Sequence, residues 1–240
     1  MPGSKAALII ETAVLPNLVS LILHFASVLG PDWTIHTYHG PDNVGLFDAP
    51  AIQRLIAQGQ MHLSSLPADA VLTSAAGVSH FLTRAWIWEQ LAPASHVLVF
   101  QSDSVLCANS HQRVEDFLEY DFVGAPIASE YGQGYNGGLS LRRRERMLDV
   151  VRTYNWSEHD TFEDQWFFDK LHRLEQQGDD LESSRLPSLD VASKFSTETV
   201  WHATPLGLHQ PWRWWQGESL ETLKAWCPEA SLIHRGSRIN

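Results

Sequence analysis

Apolar positions follow two different periods along the chain, and these periods predict its elements. Between Leu18 and Leu29 they recur with the i, i+3, i+4, i+7 spacing of one helix face, and Gly30 and Pro31 predict the end of that helix. His96–Phe100 is instead a continuous apolar run of strand length, which is typical of a buried strand. Strand-like and helix-like segments therefore alternate.

The same criteria predict the remaining elements. The predicted strands and extended segments are Ala6–Glu11, Trp33–His39, Gln60–Leu63, Phe122–Ala125, Gly137–Leu141 and Thr197–Leu206. The predicted helices are Ala49–Ala57, Ser79–Leu91, Gln112–Glu119, Arg142–Arg152, Thr161–Gln177 and Glu218–Trp226, and Gly178–Leu189 is a predicted loop. This alternation indicates a single α/β domain over residues 1–240, with a mostly parallel sheet and helices on both faces.

The charge balance narrows the classes of partner. With 17 Lys and Arg against 28 Asp and Glu, the formal charge is −11, which excludes a broad basic surface for nucleic acid. The chain also lacks a polybasic patch for anionic membranes. Leu15–Leu29 falls short of the ~20 apolar residues of a membrane span, and the apolar stretch before Glu11 is too short for a signal peptide. These features predict a soluble, cytoplasmic protein without a membrane span.

The chain has 2 cysteines, Cys107 and Cys227. This number excludes a disulfide framework and a Cys-rich zinc site. One bridge between them is possible but not implied, and the low count agrees with a reducing compartment.

Two motifs follow predicted strands and are candidates for ligand binding. Asp103 comes just after the 96–100 strand, at the edge where open α/β sheets bind ligands, and its carboxylate suits a divalent cation. It equally suits the cap of the next turn. In Tyr135–Leu141 (YNGGLSL) the paired glycines allow close approach of the backbone to a ligand, although Asn-Gly is also a frequent turn dipeptide.

An acidic pair marks the start of a predicted helix in Thr161–Phe168 (TFEDQWFF). Asp164 or Glu163 is a candidate general base. The alternative is a helix cap, since Thr161 and Asp164 have the spacing of a capping box.

Histidine and tryptophan are concentrated in Pro205–Trp215 (PLGLHQPWRWW). His209 is a candidate metal ligand, with His202 and His234 as rivals, and the indoles are a candidate surface for a sugar ring. The alternative is a surface histidine above a small aromatic core.

The basic run Arg142–Arg146 (RRRER) has two interpretations. It could bind phosphate, but its helical spacing and internal Glu145 favour a solvated helix face.

Five segments in this order resemble one family. They are QSDS (101–104), YDFVGAPI (120–127), YNGGLSLR (135–142), EDQWF (163–167) and PLGLHQPW (205–212). The chain resembles an uncharacterised family of glycosyltransferase-like proteins common in fungi, whose members resemble the glycosyltransferase-A fold. The resemblance runs from the first strand, through YHG (38–40) and Asn43, to at least Trp212, and so covers most of the chain.

This resemblance implies a role for each matching residue. Asp103 matches the second, metal-binding Asp of an Asp-x-Asp motif, and His209 matches the histidine that completes the metal site. Glu163 and Asp164 match an acidic pair whose Asp is the base in inverting members. The residues implied for the donor and its diphosphate are Glu11, Thr12, His39, Asn43, Arg84, Ser102, Asp103 and Ser104. Those implied for the sugar and acceptor pocket are Asn136, Gly137, Gly138, Trp166, His209 and Trp212.

The implied function is transfer of a sugar from a nucleoside-diphosphate sugar, with UDP-sugar as the expected donor, to a hydroxyl acceptor. Inversion is expected, with Mn²⁺ or Mg²⁺ on the diphosphate. The nucleotide-binding half is expected over about residues 1–110 and the acceptor and catalytic half over about 111–240.

Two positions depart from the pattern of the family. Gln101 stands where the first Asp of the motif would be, and Ala13 where related sequences carry Arg. Both departures weaken the expected contact with metal and phosphate. These departures favour a non-catalytic nucleotide- or carbohydrate-binding protein as one alternative. A retaining transferase on the same fold, in which the acidic pair only positions the substrate, is the other. A metal-dependent phosphohydrolase would need more carboxylates near Asp103.

Overall fold

The computed structural model describes residues 4–177 and 184–233. Its strands are β1 (Lys5–Glu11), β2 (Trp33–His39), β3 (Met61–Ser65), β4 (His96–Phe100), β5 (Ser104–Leu106), β6 (Phe122–Pro126), β7 (Tyr135–Arg143), β8 (Ser196–Thr197) and β9 (Gly207–His209). Its α-helices are α1 (Leu18–Leu29), α2 (Pro50–Ala57), α3 (Ala75–Leu82), α4 (Ala85–Gln90), α5 (Arg144–Thr153), α6 (Glu163–Gln177), α7 (Leu189–Phe195), α8 (Pro211–Trp214) and α9 (Gly217–Trp226). Short 3-10 helices cover Val44–Asp48, Val114–Phe117 and Pro228–Leu232.

The main sheet of the described residues has six strands in the order β3-β2-β1-β4-β7-β6. The strands β1 to β4 pair in parallel, whereas β7 runs antiparallel to both of its neighbours. The strand order reverses direction between β1 and β4, because β2 and β3 extend the sheet on one side and β4 on the other. Such a switch point leaves a crevice beyond the carboxyl ends of the two strands.

Helices cover both faces of this sheet. Consecutive residues of β1 point to opposite faces, yet Ala6, Ala7, Leu8 and Ile9 are all buried. One group of helices, α1 and α2, contacts β2 and β3, and a second group formed by α3 to α6 packs together beside β7. The predicted α/β class, with a mostly parallel sheet and helices on both faces, is confirmed.

A second, three-stranded sheet has the order β5-β9-β8. It lies next to the end of β4, since β5 begins only four residues after Phe100. Cys107, directly after β5, forms a disulfide with Cys227, which follows α9 at a sequence separation of 120. Bonded cysteines are typical of oxidising compartments, so this pairing speaks against the reducing compartment expected from the sequence.

The predicted helix Ser79–Leu91 is two helices in the structure. Ser74 begins α3, where its hydroxyl accepts a hydrogen bond from the Gly77 N–H, and Arg84 has the extended backbone that separates α3 from α4. Ser79 is therefore a residue inside α3, not a cap. Its hydroxyl is buried and accepts a hydrogen bond from the backbone N–H of Glu163.

The predicted helix Arg142–Arg152 begins two residues late, at Arg144. Arg142 belongs to β7 and its side chain is fully buried. The prediction of a solvated helix face is wrong for Arg142, since its buried position depends on a partner that is distant in sequence, as described below.

The C-terminal third contains elements that local patterns did not predict. Residues 178–183 of the predicted loop lie outside the described residues, but its last residue, Leu189, begins α7. Of the predicted extended segment Thr197–Leu206, only Thr197 lies in a strand, as the last residue of β8, and β9 begins one residue after the segment, at Gly207. Before that third, the segment Gln112–Glu119 forms a 3-10 helix over Val114–Phe117 instead of an α-helix.

Within residues 4–177 and 184–233, no helix is both long and apolar enough to span a bilayer.

Candidate active site

A cleft of about 150 Å³ opens at the switch point between β1 and β4. One wall is the end of β1 with Glu11 and Thr12, and another is the end of β4 with Gln101, Ser102 and Asp103. The remaining wall is apolar and comes largely from α3. The cleft therefore combines an apolar interior with a polar end at Asp103, as expected for a site that binds a flat, partly polar ligand.

The pairing of β5 with β9 brings Asp103 to His209, 106 positions later in the chain. Ser104 lies opposite His209 in this ladder, and the Gln210 N–H donates to the Asp103 carbonyl at 3.0 Å. The two side chains then face each other, with Asp103 Oδ1 at 3.3 Å from His209 Nε2. The other oxygen, Asp103 Oδ2, accepts a hydrogen bond from the Gln210 amide at 2.6 Å.

Glu198 holds the opposite side of the His209 ring. Its Oε1 lies 3.2 Å from His209 Nδ1, and both side chains are buried. Burial by itself would lower the pKa of His209, yet the carboxylates of Asp103 and Glu198 raise it to about 10. Burial by itself would raise the pKa of Asp103, but His209 and then Gln210 hold it below its usual value. Without a cation, the three groups form an imidazolium between two carboxylates.

Asp164 lies in the first turn of α6, with its carboxylate directed at β7. Its Oδ2 accepts a hydrogen bond from the Gly137 N–H at 2.8 Å, and its Oδ1 accepts one from the Gln165 N–H at 2.7 Å. Burial, and next the charge of Glu163, raise the pKa of Asp164 to about 6. A carboxylate with a pKa in this range can accept a proton near neutral pH, as a general base must.

Glu163 forms a two-pronged ion pair with the buried Arg142. The two N–O distances are 2.7 and 3.0 Å, and Arg142 Nε donates a further hydrogen bond to the Ser140 hydroxyl at 2.9 Å. The rings of Phe122, Phe167 and Trp88 surround the guanidinium. Both carboxylate oxygens of Glu163 are engaged in this ion pair, which anchors α6 to β7. A contact of Glu163 with a substrate stays a prediction.

Gly137 and Gly138 join the two parts of the site. A Cβ on Gly137 would lie 2.6 Å from Arg142 Nη2 and 2.8 Å from Glu163 Oε1, and one on Gly138 would overlap the His209 ring. The glycines thus leave space for the protein's own side chains, and their close approach to a ligand stays a prediction. The Asn136 side chain accepts a hydrogen bond from the Gly138 N–H at 2.7 Å. The glycine pair consequently holds Asp164 and His209 on adjacent residues of β7.

The residues predicted to bind the nucleoside fall into two groups. Glu11 and Thr12 line the cleft, whereas His39 and Asn43 are buried beside it. Asn43 donates to the carbonyls of Glu11 and Ala13 and accepts from the Gly40 N–H, so it ties the ends of β1 and β2 together. These internal bonds show that Asn43 stabilises the ends of the two strands. The contact of His39 and Asn43 with a nucleoside stays a prediction.

The other predicted donor residues are more dispersed. Ser102 lines the cleft, but the buried Ser104 hydroxyl donates to the Gln101 carbonyl and shapes the turn after β4. Arg84 forms an ion pair with Asp69 at 2.9 Å and does not line the cleft. Its contact with a diphosphate stays a prediction.

The tryptophans predicted to contact the substrate are not equally accessible. Trp166 is buried in α6, and Trp212 is half-buried in α8. Of the rival histidines, His202 accepts a hydrogen bond from the Thr204 N–H, and His234 lies outside the described residues. His209 is the histidine that the structure places beside Asp103.

Two residues of the site, Glu198 and Gln210, were not predicted from the sequence, and Arg142 was expected at a phosphate or on a solvated helix face. Glu198 and Gln210 reach the site through β8 and β9, whose pairing no local pattern predicted. Gln210 also has a φ of 44°, in the left-handed region that non-glycine residues seldom occupy. Such strain often accompanies functional sites, but it cannot be identified from the sequence alone.

The described residues contain no group of three or more His, Cys, Asp and Glu side chains that could hold a metal. The protein can contribute the pair Asp103 and His209, whose Oδ1 and Nε2 are buried and make no hydrogen bond outside their own ion pair. Their separation of 3.3 Å is close to the ~3 Å between neighbouring ligands of an octahedral cation with bonds of about 2.1 Å. This pair fits one side of a divalent cation whose remaining ligands come from a bound anion and water.

The chain matches a family model over residues 60–209, and the family is described as a protein of unknown function (DUF5672). The chain belongs to the DUF5672 family. No protein of curated function matches this DUF5672 chain at a significant level.

Solved structures similar to this DUF5672 chain include a glycosyltransferase, a mannosyltransferase and a protein bound to UDP-GlcNAc. The apo form of GlyE from Streptococcus pneumoniae TIGR4 has a TM-score of 0.59 and 14% identity, covering 98% of this chain and 61% of that one. TarS 1-349 from S. aureus with UDP-GlcNAc has a TM-score of 0.48 and 12% identity, covering 70% and 52%. The mannosyltransferase PcManGT from Pyrobaculum calidifontis, with GDP-Man and Mn²⁺, has a TM-score of 0.48 and 9% identity, covering 77% and 54%.

The chain thus spans between 52% and 61% of the lengths of these proteins. At such low identity the similarity to GlyE shows the fold alone. The glycosyltransferase-A type of fold, which the resemblance implied, is confirmed.

Proposed function

We propose that this protein is a glycosyltransferase that moves a sugar from a nucleoside-diphosphate sugar, with UDP-sugar as the expected donor, to a hydroxyl acceptor. The observation that supports this most is the convergence on Gly137 and Gly138. Asp164 is hydrogen-bonded to the first glycine, and the His209 ring, paired with Asp103, packs on the second. A candidate base and a candidate cation site thus meet at adjacent residues of β7, and Asp103 of the cation site also lines the switch-point cleft. GlyE, whose fold the chain shares, is described as a glycosyltransferase.

In this mechanism the cleft between β1 and β4 holds the nucleoside and directs the diphosphate to Asp103. Asp103 and His209 would hold a divalent cation, which supplies positive charge to the leaving diphosphate. Glu198 holds the His209 ring from its other side at 3.2 Å and orients Nε2 toward Asp103. Because the imidazolium cannot ligate a cation, binding of the cation would release the His209 proton.

Asp164 takes the proton of the acceptor hydroxyl as that oxygen attacks the anomeric carbon. Its pKa of about 6 makes the carboxylate the main form at pH 7 and keeps it basic enough for the transfer. The N–H donors of Gly137 and Gln165 hold the carboxylate in place. Attack assisted by a base on the face opposite the diphosphate predicts inversion at the anomeric carbon.

The test is release of nucleoside diphosphate from a panel of UDP- and GDP-sugars with Mn²⁺ or Mg²⁺, first with water and then with glycan and small hydroxylated acceptors. We expect Asp164→Asn to lose transfer at least 100-fold while retaining donor binding in a thermal-shift assay. The matched control is Asp190→Asn, at an exposed position of α7. Loss of donor binding together with transfer would contradict the role of Asp164 as the base.

A non-catalytic nucleotide-binding protein is the second candidate, and the position of Gln101 favours it. Gln101 lines the cleft two residues before Asp103, where a second carboxylate would strengthen the cation site. A binding protein predicts donor binding without release of diphosphate in every combination of cation and acceptor. A retaining transferase instead predicts transfer with retained configuration, which the anomeric coupling constant of the product distinguishes.

A further inference from the structure

Four aromatic side chains form two ring pairs on the loops around the small sheet. Tyr131 and Trp214 have ring centroids 4.9 Å apart, and Trp201 and Trp215 have centroids 5.0 Å apart. The two pairs meet at the consecutive residues Trp214 and Trp215. This group, here called the aromatic platform, contains two of the large apolar side chains that the structure leaves exposed, since Tyr131 is 55% and Trp201 is 36% accessible.

Hydrogen bonds hold the loops of the aromatic platform together. The Thr199 hydroxyl accepts from the Ala128 N–H at 2.9 Å and donates to the Pro126 carbonyl at 3.1 Å, which joins the loop after β6 to the loop after β8. The Trp215 indole donates to the Glu198 carbonyl at 2.6 Å. The rings are therefore fixed before any ligand arrives, and a ligand that stacks on them orders few side chains on binding.

The aromatic platform is tied to the candidate active site on two sides. Glu198 accepts the Trp215 indole with its backbone carbonyl and holds His209 with its carboxylate. On the other side, Gly132 directly follows Tyr131 and packs against Gln165, the neighbour of Asp164. The aromatic platform thus adjoins His209 and the neighbour of Asp164, the residues proposed to act on the substrates.

The chemistry of the aromatic platform favours a carbohydrate as its ligand over a lipid or an anionic membrane. One face of a pyranose ring presents C–H bonds that pack on an aromatic ring, while its hydroxyls reach outward to polar groups. Here the exposed Arg213 guanidinium lies 4.9 Å from the Trp214 ring and donates to Gln210 at 3.1 Å. A lipid would need a continuous aliphatic surface, and an anionic membrane a basic one, whereas this chain carries a net charge of −11.

We propose that the aromatic platform binds a glycan by stacking sugar rings on Trp201 and on the Tyr131–Trp214 pair, so that the acceptor is an oligosaccharide. Its role as an acceptor site rests on the proposed transferase function. Binding of the glycan itself does not, because it needs neither nucleotide nor cation.

The test uses the whole protein without nucleotide and a panel of oligosaccharides of four to six units, namely cello-, laminari-, chito- and manno-oligosaccharides. Binding is followed by tryptophan fluorescence and by the indole N–H signals in ¹H–¹⁵N spectra. We expect saturable binding of at least one member, and at least a tenfold weaker affinity in Trp201→Ala and Trp214→Ala. Trp201→Phe, which keeps an aromatic face, should recover most of the affinity.

The control is Leu189→Ala, which removes a 61% accessible apolar side chain from α7 and should bind as the native protein does. Equal melting temperatures of all variants show that the fold is retained. Absence of binding by every oligosaccharide, or unchanged affinity in the tryptophan variants, would overturn the inference. If the protein binds glycan but no sugar nucleotide, the proposed transferase function is refuted and glycan binding by the aromatic platform is kept. If it binds sugar nucleotide but no glycan, the proposed platform is refuted and the transferase function is kept.

Discussion

Replacement of Arg142 by methionine tests the buried ion pair that joins β7 to α6. The guanidinium is inaccessible and the Glu163 side chain is 8% exposed, so neither charge is solvated by water. In Arg142→Met, Glu163 would be left with a buried charge and without its two hydrogen bonds of 2.7 and 3.0 Å. Removal of one partner of such a pair costs about 3–5 kcal/mol. For a chain of this size that loss lowers the melting temperature by roughly 10 °C.

The double variant Arg142→Met/Glu163→Met separates the pair from the packing around it. Methionine can fill the space between the aromatic rings without a charge, and replacement of both members of a buried pair is often neutral or stabilising. We therefore expect the double variant to recover most of the loss, so that its cost falls at least about 3 kcal/mol below the sum of the two single-variant costs. Urea unfolding followed by circular dichroism measures all four proteins of the cycle.

Arg173→Met is the matched control for this cycle, because Arg173 is 59% exposed on α6 and pairs with Asp169 of the same helix. Its expected cost is below about 1 kcal/mol. If Arg142→Met also cost less than about 1 kcal/mol, Arg142 would be on a solvated surface and the account of the ion pair would be refuted.

Three further predictions concern the glycine pair, the base and the disulfide. Gly138→Ala should displace the His209 ring and abolish any cation-dependent nucleotide binding in calorimetry. Gly45→Ala, where an added Cβ meets nothing within 4 Å, should leave that binding unchanged. Equal binding by both variants would contradict the packing of Gly138 against His209. Because the pKa of Asp164 is raised from 3.8 to about 6, the folded state binds the extra proton, so the free energy of unfolding should fall by about 2 kcal/mol from pH 4 to pH 6. Asp164→Asn should remove that part of the slope in urea titrations, and identical slopes would show that its pKa is not raised. Reduction of the disulfide should lower the free energy of unfolding by about 2–5 kcal/mol, and unchanged urea midpoints with and without reductant would show that the cysteines are not bonded.

Local patterns of apolar residues were sufficient to predict the strands of the main sheet. The apolar runs of β1, β2 and β4 and the one-sided pattern of α1 predict those elements to within a few residues, because burial on both faces or on one face leaves a signal in adjacent positions. The candidate residue Asp103 followed from the same signal, since it marks the end of the strongest strand.

Contacts between distant segments explain what the sequence left unpredicted. Arg142 stands in the run RRRER, which resembles a surface helix, and only its pairing with Glu163, 21 positions later, accounts for its burial. Glu198 joins the site through the strand pair β8 and β9, each of which is too short to leave a periodic pattern. The task of the glycine pair was also unpredictable, because the sequence does not reveal that Arg142 and His209 occupy the space beside it.

The central claim is that the cleft and the Asp103–His209 pair together bind a nucleoside diphosphate with a cation. The most direct measurement is the shift in melting temperature with UDP, GDP and their sugars, with and without Mn²⁺. A ligand at about 100 times its dissociation constant stabilises a fold by about 2.7 kcal/mol, which corresponds to a shift of roughly 5–10 °C here. We predict such a shift with a uridine diphosphate and Mn²⁺, and its reduction in Asp103→Asn. No shift with any nucleotide, with or without the cation, would contradict the account.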